Sequence, residues 1–429
     1  MKFAFYTLGC KTNQYETQAM ERLLTAMGHE LGHFDEACDG YVINTCSVTA
    51  VADKKNRAII RRCRRDNPQA IIGVCGCYSQ HAPEAVRELG IDVIGGSGGR
   101  EEFLEMMLGA LADRSHREKL DNALRRREFE ILPAGGLEER TRAMVKVQDG
   151  CVNFCSYCII PFARGRIRSL PLEQAVEQAK SLWEQGYKEI VITGIEISSW
   201  GQEWRNESAL IDLMEGICAA VPQCRIRLGS LEPRTITAEF CARASKLPNL
   251  CPHFHLSMQS GCDTVLKRMN RKYDSARYFE SVKLLREYFK NPGITTDLIV
   301  GFPGETEEEF VQTLDFIRRC AFSAMHVFPY SKRPGTPAAA RKDQILNTVK
   351  EERAHRAAAV AAEMEEAYLD SWVGQTVPVL MEEERDGAWR GYTAEYVPVA
   401  VSAQEDLHNQ IRQVRLERGE KGVLWGSLA

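Results

Sequence analysis

The chain has 429 residues, 44% hydrophobic and 27% charged, with a formal net charge of −4. That length and balance describe a globular protein of two or three domains. They exclude a globally basic nucleic-acid binder, so any such contact must rest on local basic clusters. No apolar run approaches the ~18 residues of a membrane span. Met1–Thr7 is too short and too structured for a signal peptide. Fifteen cysteines, an odd number, point to reduced thiols and metal binding in a cytoplasmic protein.

Strand and helix alternate from the start. Strands are predicted at Lys2–Leu8, Tyr41–Asn44, Ala70–Cys75 and Asp92–Gly95. Helices are predicted at Asn13–Met27, Val51–Arg65, near Pro83 and at Arg100–Ala112. In the first helix Tyr15, Met20, Leu23 and Leu24 offer one apolar face. Such alternation predicts a parallel α/β sheet. Cys10, Cys46 and Cys77 each follow a strand end and precede a helix start. Loops at the carboxyl ends of parallel strands share one edge, so these cysteines can converge. They could hold an iron–sulfur cube with one iron free; three buried core cysteines are the alternative. Cys75, the last strand residue, is the rival of Cys77 and is expected in the core.

The helix after Cys46 carries Lys54, Lys55, Arg57, Arg61, Arg62, Arg64 and Arg65. Arg57, Arg61 and Arg65 share a face. That face is either a solvated surface or a phosphate contact. Residues 113–142 are polar, with Arg125–Arg127, Pro133 and Gly135-Gly136, and read as a linker or short extended connection.

A strand-like run, Ala143–Gln148, then leads into Cys151-Val-Asn-Phe-Cys155-Ser-Tyr-Cys158, and Arg164-Gly-Arg-Ile-Arg168 leads out. Three thiolates at CxxxCxxC spacing suit three corners of a cube. Ordinary cubes take four cysteines, and none follows here for about 60 residues, so one iron would be left open. A structural zinc is the alternative, but zinc favours CxxC pairs and four ligands. Further strands are predicted at 143–148, 188–193, 225–229, 253–257, 294–299 and 324–328, with helices such as Leu172–Gln185, Ala209–Ala220, Ser275–Phe289 and Glu307–Cys320 between them. Six strands suit a partial (βα) barrel, with chemistry at the carboxyl ends. Ala340–Asp370 reads as one long helix. Short alternating runs broken by glycines then predict a small β-barrel. Trp389, Tyr392 and Tyr396, near Arg385 and Arg390, suit stacking on RNA; core packing of the small barrel is the alternative.

Together these motifs carry a resemblance. Thr7–Glu16, Asn44–Thr49 and Gly76–Gln80 resemble the three cysteine motifs of the methylthiotransferases of the radical S-adenosylmethionine (SAM) superfamily. Ile192–Glu196, Leu256–Gly261, Asp297–Glu305 and Tyr330–Pro337 are similar to their barrel. The C-terminal segment looks like a TRAM domain, their RNA-binding module. The chain departs slightly, with Thr12 where valine is common and Cys262 where serine is common. The resemblance implies four segments: an N-terminal α/β domain (1–112), a linker (113–140), a partial (βα)6 radical SAM barrel (141–370) and a TRAM-like β-barrel (371–429).

The Thr7–Glu16 signature and Ser230-Leu-Glu-Pro233 look like the branch that modifies N6-threonylcarbamoyladenosine at position 37 of tRNA. Other branches act on isopentenyladenosine in tRNA or on a ribosomal-protein aspartate. The implied cofactors are two [4Fe-4S] clusters, on Cys10/Cys46/Cys77 and Cys151/Cys155/Cys158, and two SAM per turnover. One SAM would supply methyl to sulfur on the auxiliary cluster, and the second would be cleaved at the Cys151 cluster. A radical cofactor is required because acid–base catalysis, worth about 10²–10⁴-fold, cannot remove an unactivated adenine C2 hydrogen. Tyr157 is expected on the SAM adenine and Gly194 and Glu196 at its methionine end, with Gln259 and Asp297 as further contacts. Arg61, Arg65, Arg164, Arg166, Arg385 and Arg390 are expected to meet the anticodon loop. An electron donor such as flavodoxin or ferredoxin is implied, and no membrane.

Overall fold

A computed structural model describes residues 1–135, 141–204 and 209–429. The N-terminal sheet is parallel throughout, in the order β2-β1-β3-β4-β5-β6: β1 Lys2–Thr7, β2 Glu30–Gly32, β3 Gly40–Thr45, β4 Ile71–Gly76, β5 Val93–Gly95 and β6 Arg117–Lys119. The first, third, fourth and fifth of these are the predicted strands. The edge strands β2 and β6 are additions, each three residues long, too short to show a side-chain period. The predicted linker thus contributes β6 to the sheet. Helices α1 (Lys11–Ala26), α2 (Ala50–Asp66), α3 (Cys77–His81), α4 (Pro83–Arg87) and α5 (Arg100–Asp113) cover the two faces.

The barrel has six parallel strands: β7 Arg142–Asp149, β9 Glu189–Gly194, β10 Arg225–Leu228, β12 His253–Leu256, β13 Gly293–Val300 and β14 Ala324–Pro329. Two short strands, β8 Arg168–Ser169 and β11 Ser230–Leu231, complete two half-sheets, β10-β9-β7-β8 and β11-β12-β13-β14. β10 and β11 are separated only by Gly229, so nearly continuous chain links the halves. Alternation along β13, buried at Ile294, Thr296, Leu298 and Val300 and partly open between, marks an outer face on helices and an inner face on a lumen. The lumen is polar. Glu189 pairs with buried Arg227, and Arg142 pairs with Glu382.

Helix α1 is buried on two sides. Met20 and Leu24 pack on the N-terminal sheet, and Tyr15 and Ala19 join the barrel core. Its fully buried Glu16 meets Arg100 at 2.6 Å and Lys146 at 2.8 Å, and also pairs with Arg164. Those cations hold the Glu16 carboxyl well below the usual carboxylate range against burial, which pushes it up. Replacing Glu16 by Ala should cost about 3–5 kcal/mol, because it strips a counter-charge from buried cations. A lowered denaturant midpoint of the iron-loaded chain would report it; an unchanged midpoint would refute it.

The predicted long helix starts later than expected. A short helix at Pro337–Ala340 ends where Gln344 Nε2 donates to the Ala338 and Arg341 carbonyls, and Asn347–Asp370 follows. The C-terminal strands β15 Thr376–Arg385, β16 Ala388–Tyr392, β17 Pro398–Val401, β18 Ile411–Glu420 and β19 Val423–Leu428 form a closed barrel. It seats against the floor of the larger barrel. Arg225 donates to the Tyr392 and Pro378 carbonyls, Arg227 to those of Thr393 and Ala394, and Tyr396 stacks on His253. No described helix is long and apolar enough to cross a membrane.

Candidate active site

Cys10, Cys46 and Cys77 follow the carboxyl ends of β1, β3 and β4, adjacent strands of one sheet. Glycine makes their approach possible. Gly9 and Gly76 have φ of +114° and +106°, values that favour glycine. A Cβ on Gly9 would lie 2.9 Å from the Cys46 sulfur, and one on Gly76 would collide with the Thr45 carbonyl oxygen. Asn13 fastens two of the strand ends, donating to the Leu8 and Thr45 carbonyls at 2.8 and 2.9 Å. Cys10 is exposed, and Cys46 and Cys77 are buried. Cys75 is wholly buried among the sheet's apolar residues, as expected of a core residue.

The second triplet lies on the loop after β7. Gly150, with φ of +77°, turns the chain into Cys151, where a Cβ would collide with the Arg166 carbonyl. The loop is strapped down by backbone bonds. Cys151 N–H donates to the Gly165 carbonyl, Cys158 N–H to Cys155 and Ser156 N–H to Met269. Arg271 donates to the Cys155 sulfur at 3.2 Å, and the Asn153 N–H approaches the Cys151 sulfur at 3.5 Å. Cys77 lies within electrostatic reach of Cys158, so the two triplets are neighbours.

Burial pushes the Cys46, Cys151 and Cys158 thiols up to about 12. A bound metal reverses that order by removing the proton. All fifteen cysteines are free. Among the described residues no group of His, Cys, Asp or Glu is placed to hold a single metal ion. The donor set is three thiols per site, with N–H groups aimed at sulfur and glycine-only backbone beside it. This arrangement fits a cube held at three corners.

Beside Cys151 is a cavity of about 240 Å³, lined also by Asn153, Glu196, Glu232 and Arg234. Glu196 is held by Asn153 Nδ2 at 3.3 Å, and its backbone N–H donates to Gln148 Oε1 at 2.7 Å. Ser198 also lies within hydrogen-bonding reach of its carboxyl. Burial, with Glu232 nearby, pushes this carboxyl up to about 7. A carboxyl on the wall of this cavity, next to a candidate cluster, suits the ammonium of SAM. Gly194 lies against the Gln148 backbone, where a Cβ would come to 2.7 Å from the carbonyl oxygen.

Gln259 and Asp297 sit on the other half-barrel. Gln259, with φ of +68°, donates its N–H to the Asp297 carbonyl, and Asp297 Oδ2 meets His255 Nε2 at 3.3 Å. Neither lines the cavity beside Cys151. Tyr157 does not line it either. Its ring meets Phe302 edge-on at 6.5 Å within an apolar group that includes Tyr330 and Cys262. Cys262 is buried against Gln312 and Thr264.

The basic residues divide sharply. Arg61, Arg65, Arg166 and Arg385 are exposed, and Arg390 lies over the Trp425 ring at 5.0 Å. Arg164 is not available to a phosphate, which corrects the expectation from sequence. It is wholly buried, spent on Glu16, Asn13 and Cys77, because a buried guanidinium persists only when paired. Trp389 packs in the core of the small barrel, and Tyr392 and Tyr396 stack on each other at 4.5 Å beneath Arg142, so none of the three is a free platform. Trp425, half-buried beside Arg390 and Arg418, is the aromatic that sequence reasoning missed. Arg385, Arg390, Lys421 and Lys11 line a cleft of about 930 Å³ between the small barrel, β7 and α1. Arg271 and Arg333 were also missed. Arg333 pairs with Asp53 at 2.7 Å and donates to Ser47, next to Cys46.

Residues 145–317 match the radical SAM superfamily, and residues 2–96 match a family described as "Uncharacterized protein family UPF0004". A Bacillus subtilis protein named "Threonylcarbamoyladenosine tRNA methylthiotransferase MtaB" is 40% identical over 96% of this chain and 93% of its own length. The Thermotoga maritima protein of the same name is 36% identical over 91% of this chain and 89% of its own. A Bacillus subtilis "tRNA-2-methylthio-N(6)-dimethylallyladenosine synthase" is 31% identical over 100% of this chain and 86% of its own. In fold the chain is similar to a radical SAM methyltransferase, TsrM, from Kitasatospora setae, with a TM-score of 0.58 at 17% identity, covering 79% of this chain and 77% of that one. With a radical SAM match, a UPF0004 match and this identity across nearly its whole length, the chain belongs to the radical SAM methylthiotransferases, enzymes that use SAM and [4Fe-4S] clusters.

Proposed function

We propose that this enzyme adds a methylthio group to C2 of N6-threonylcarbamoyladenosine at position 37 of tRNA. The observation that carries the substrate is the 40% identity to the Bacillus subtilis threonylcarbamoyladenosine enzyme, against 31% to the dimethylallyladenosine synthase. Mass spectrometry of tRNA nucleosides from a deletion strain tests it. Loss of the methylthio group from threonylcarbamoyladenosine alone is expected. Loss from isopentenyladenosine would move the enzyme to the other branch, and intact tRNA would redirect the search to a protein substrate.

When bound, the clusters and SAM supply the radical and sulfur chemistry that side chains cannot. Cys10, Cys46 and Cys77 would hold the auxiliary cluster, and Cys151, Cys155 and Cys158 the one that binds SAM. Glu196 would accept from the SAM ammonium, with Asn153 fixing its carboxylate. Gly194, closed against the Gln148 backbone, would set the strand end that carries Glu196 to the methionine end. Gln259 and Asp297 would act from the far half of the lumen. Residues 1–112, 141–370 and 371–429 would serve as cluster, radical and RNA modules. An electron donor of the flavodoxin or ferredoxin class and a cytoplasmic setting suit this chemistry.

The target base would sit in an anticodon loop, where unpaired bases can be splayed into a pocket. Exposed Arg61, Arg65 and Arg166 would meet phosphates on the cluster side, and Arg385, Arg390 and Trp425 would grip from the small barrel. Deleting residues 374–429 is a poor test, because it would strip buried Arg225 and Arg227 of their carbonyl partners. Charge reversal is cleaner. Arg61→Glu with Arg65→Glu, and separately Arg385→Glu with Arg390→Glu, should weaken tRNA binding. The slope of log affinity against log salt should flatten by about 0.7 for each phosphate of a single-stranded loop that the variant no longer neutralises. Unchanged affinity and slope in both pairs would remove tRNA from these faces.

A further inference from the structure

Arg164 belongs to the barrel yet spends its side chain on the N-terminal domain. It closes helix α6 (Ile160–Arg164), six residues after Cys158. Its Nε donates to the Cys77 sulfur at 3.2 Å. One terminal nitrogen donates to Asn13 Oδ1 at 2.7 Å and Glu16 Oε2 at 3.1 Å, and the other pairs with Glu16 and approaches Asp149 at 3.5 Å. Asn13 in turn holds the carbonyls of Leu8 and Thr45, which precede Cys10 and Cys46 by two residues and one. One guanidinium therefore reaches all three cysteine positions of the N-terminal triplet, directly at Cys77 and through Asn13 at the others. Glu16 is anchored independently by Arg100 and Lys146, so the guanidinium has a fixed seat.

We infer that Arg164 is a positioning residue for the N-terminal cluster, holding it in register with the Cys151 loop and setting its reduction potential through the Cys77 sulfur. The inference rests on the proposed ligation by Cys10, Cys46 and Cys77. A hydrogen bond to a ligating sulfur is one of the protein's levers on an iron–sulfur potential. Guanidinium is always charged, and here no solvent screens it. Positive charge donated to the thiolate stabilises the reduced, more negative cluster and raises its potential. Arg100 is the internal contrast, since it shares Glu16 but donates to no thiol.

The test uses the iron-loaded full chain in which Cys151, Cys155 and Cys158 are Ala, so that only the N-terminal cluster remains. Arg164→Lys keeps a cation beside Glu16 but cannot donate to Cys77, Asn13 and Glu16 together. Redox titration followed by electron paramagnetic resonance should show a tenfold or greater fall in the reduction equilibrium, 59 mV or more for one electron. Arg100→Lys should leave the midpoint in place. In the enzyme with both triplets intact, Arg164→Lys should leave the midpoint of the Cys151 cluster unmoved.

A measurement without substitution covers the case in which Arg164→Lys loses its iron. With guanidino-¹⁵N-arginine incorporated, pulsed resonance of the reduced N-terminal cluster should show a weak ¹⁵N coupling. An unshifted midpoint, an equal shift in Arg100→Lys, or no ¹⁵N coupling would overturn the role of Arg164. Absence of iron from the parental triple variant would instead overturn the ligation on which it rests.

Discussion

Replacing Cys151, Cys155 and Cys158 together by Ala should abolish reductive cleavage of SAM and halve the bound iron. At four irons per cube the reconstituted enzyme should hold about eight and the variant about four. The expectation follows from the separateness of the two seats. The Cys151 loop is fastened by its own backbone bonds to Gly165 and Met269, whereas Cys10, Cys46 and Cys77 are set by β1, β3 and β4 and the glycines beside them. Removing three sulfur atoms from the first leaves the second intact. SAM cleavage should fall to background because the thiols that would hold the SAM-binding cluster beside Glu196 and its cavity would be gone. Anaerobic iron analysis and quantification of 5′-deoxyadenosine would read both effects. A variant that lost all its iron, or kept all of it, would show that the two seats are not independent.

Removing the other triplet should divide the reaction differently. With Cys10, Cys46 and Cys77 replaced by Ala, SAM should still be cleaved to 5′-deoxyadenosine, while methylthiolated nucleoside disappears. The thiols of that sheet edge touch neither the cavity beside Cys151 nor Glu196, so SAM binding has no need of them. Cys77 lies within electrostatic reach of Cys158, so a cluster on that triplet would sit near enough to the Cys151 loop to serve the later, sulfur-transferring step. Product assays on threonylcarbamoyladenosine-bearing tRNA, run beside the cleavage assay, would separate the steps. Loss of cleavage in a variant that retains the Cys151 cluster would contradict this division of labour.

The strand and helix order, the partial barrel, the closed C-terminal barrel and the two cysteine triplets were legible in the sequence. Each depends on short-range signals: alternation of period, glycine punctuation and cysteine spacing. The strand ends carrying Cys10, Cys46 and Cys77 could be placed on one sheet edge because parallel α/β connections leave little freedom. The structure reversed Arg164. Sequence offers it as one cation of a basic run with Arg166 and Arg168, yet only Arg166 is exposed. Trp389 and Trp425 both lie on strands, but only the register of the closed barrel sends the first inward and leaves the second beside Arg390. The first helix shows one apolar face in sequence, whereas Glu16, Thr12 and Asn13 are buried as well. Hydrophobic periodicity reports burial against apolar neighbours alone. A helix wedged between two domains also buries its polar face, where charges are neutralised by partners 84 to 148 residues away, and only the assembled fold determines which partners those are.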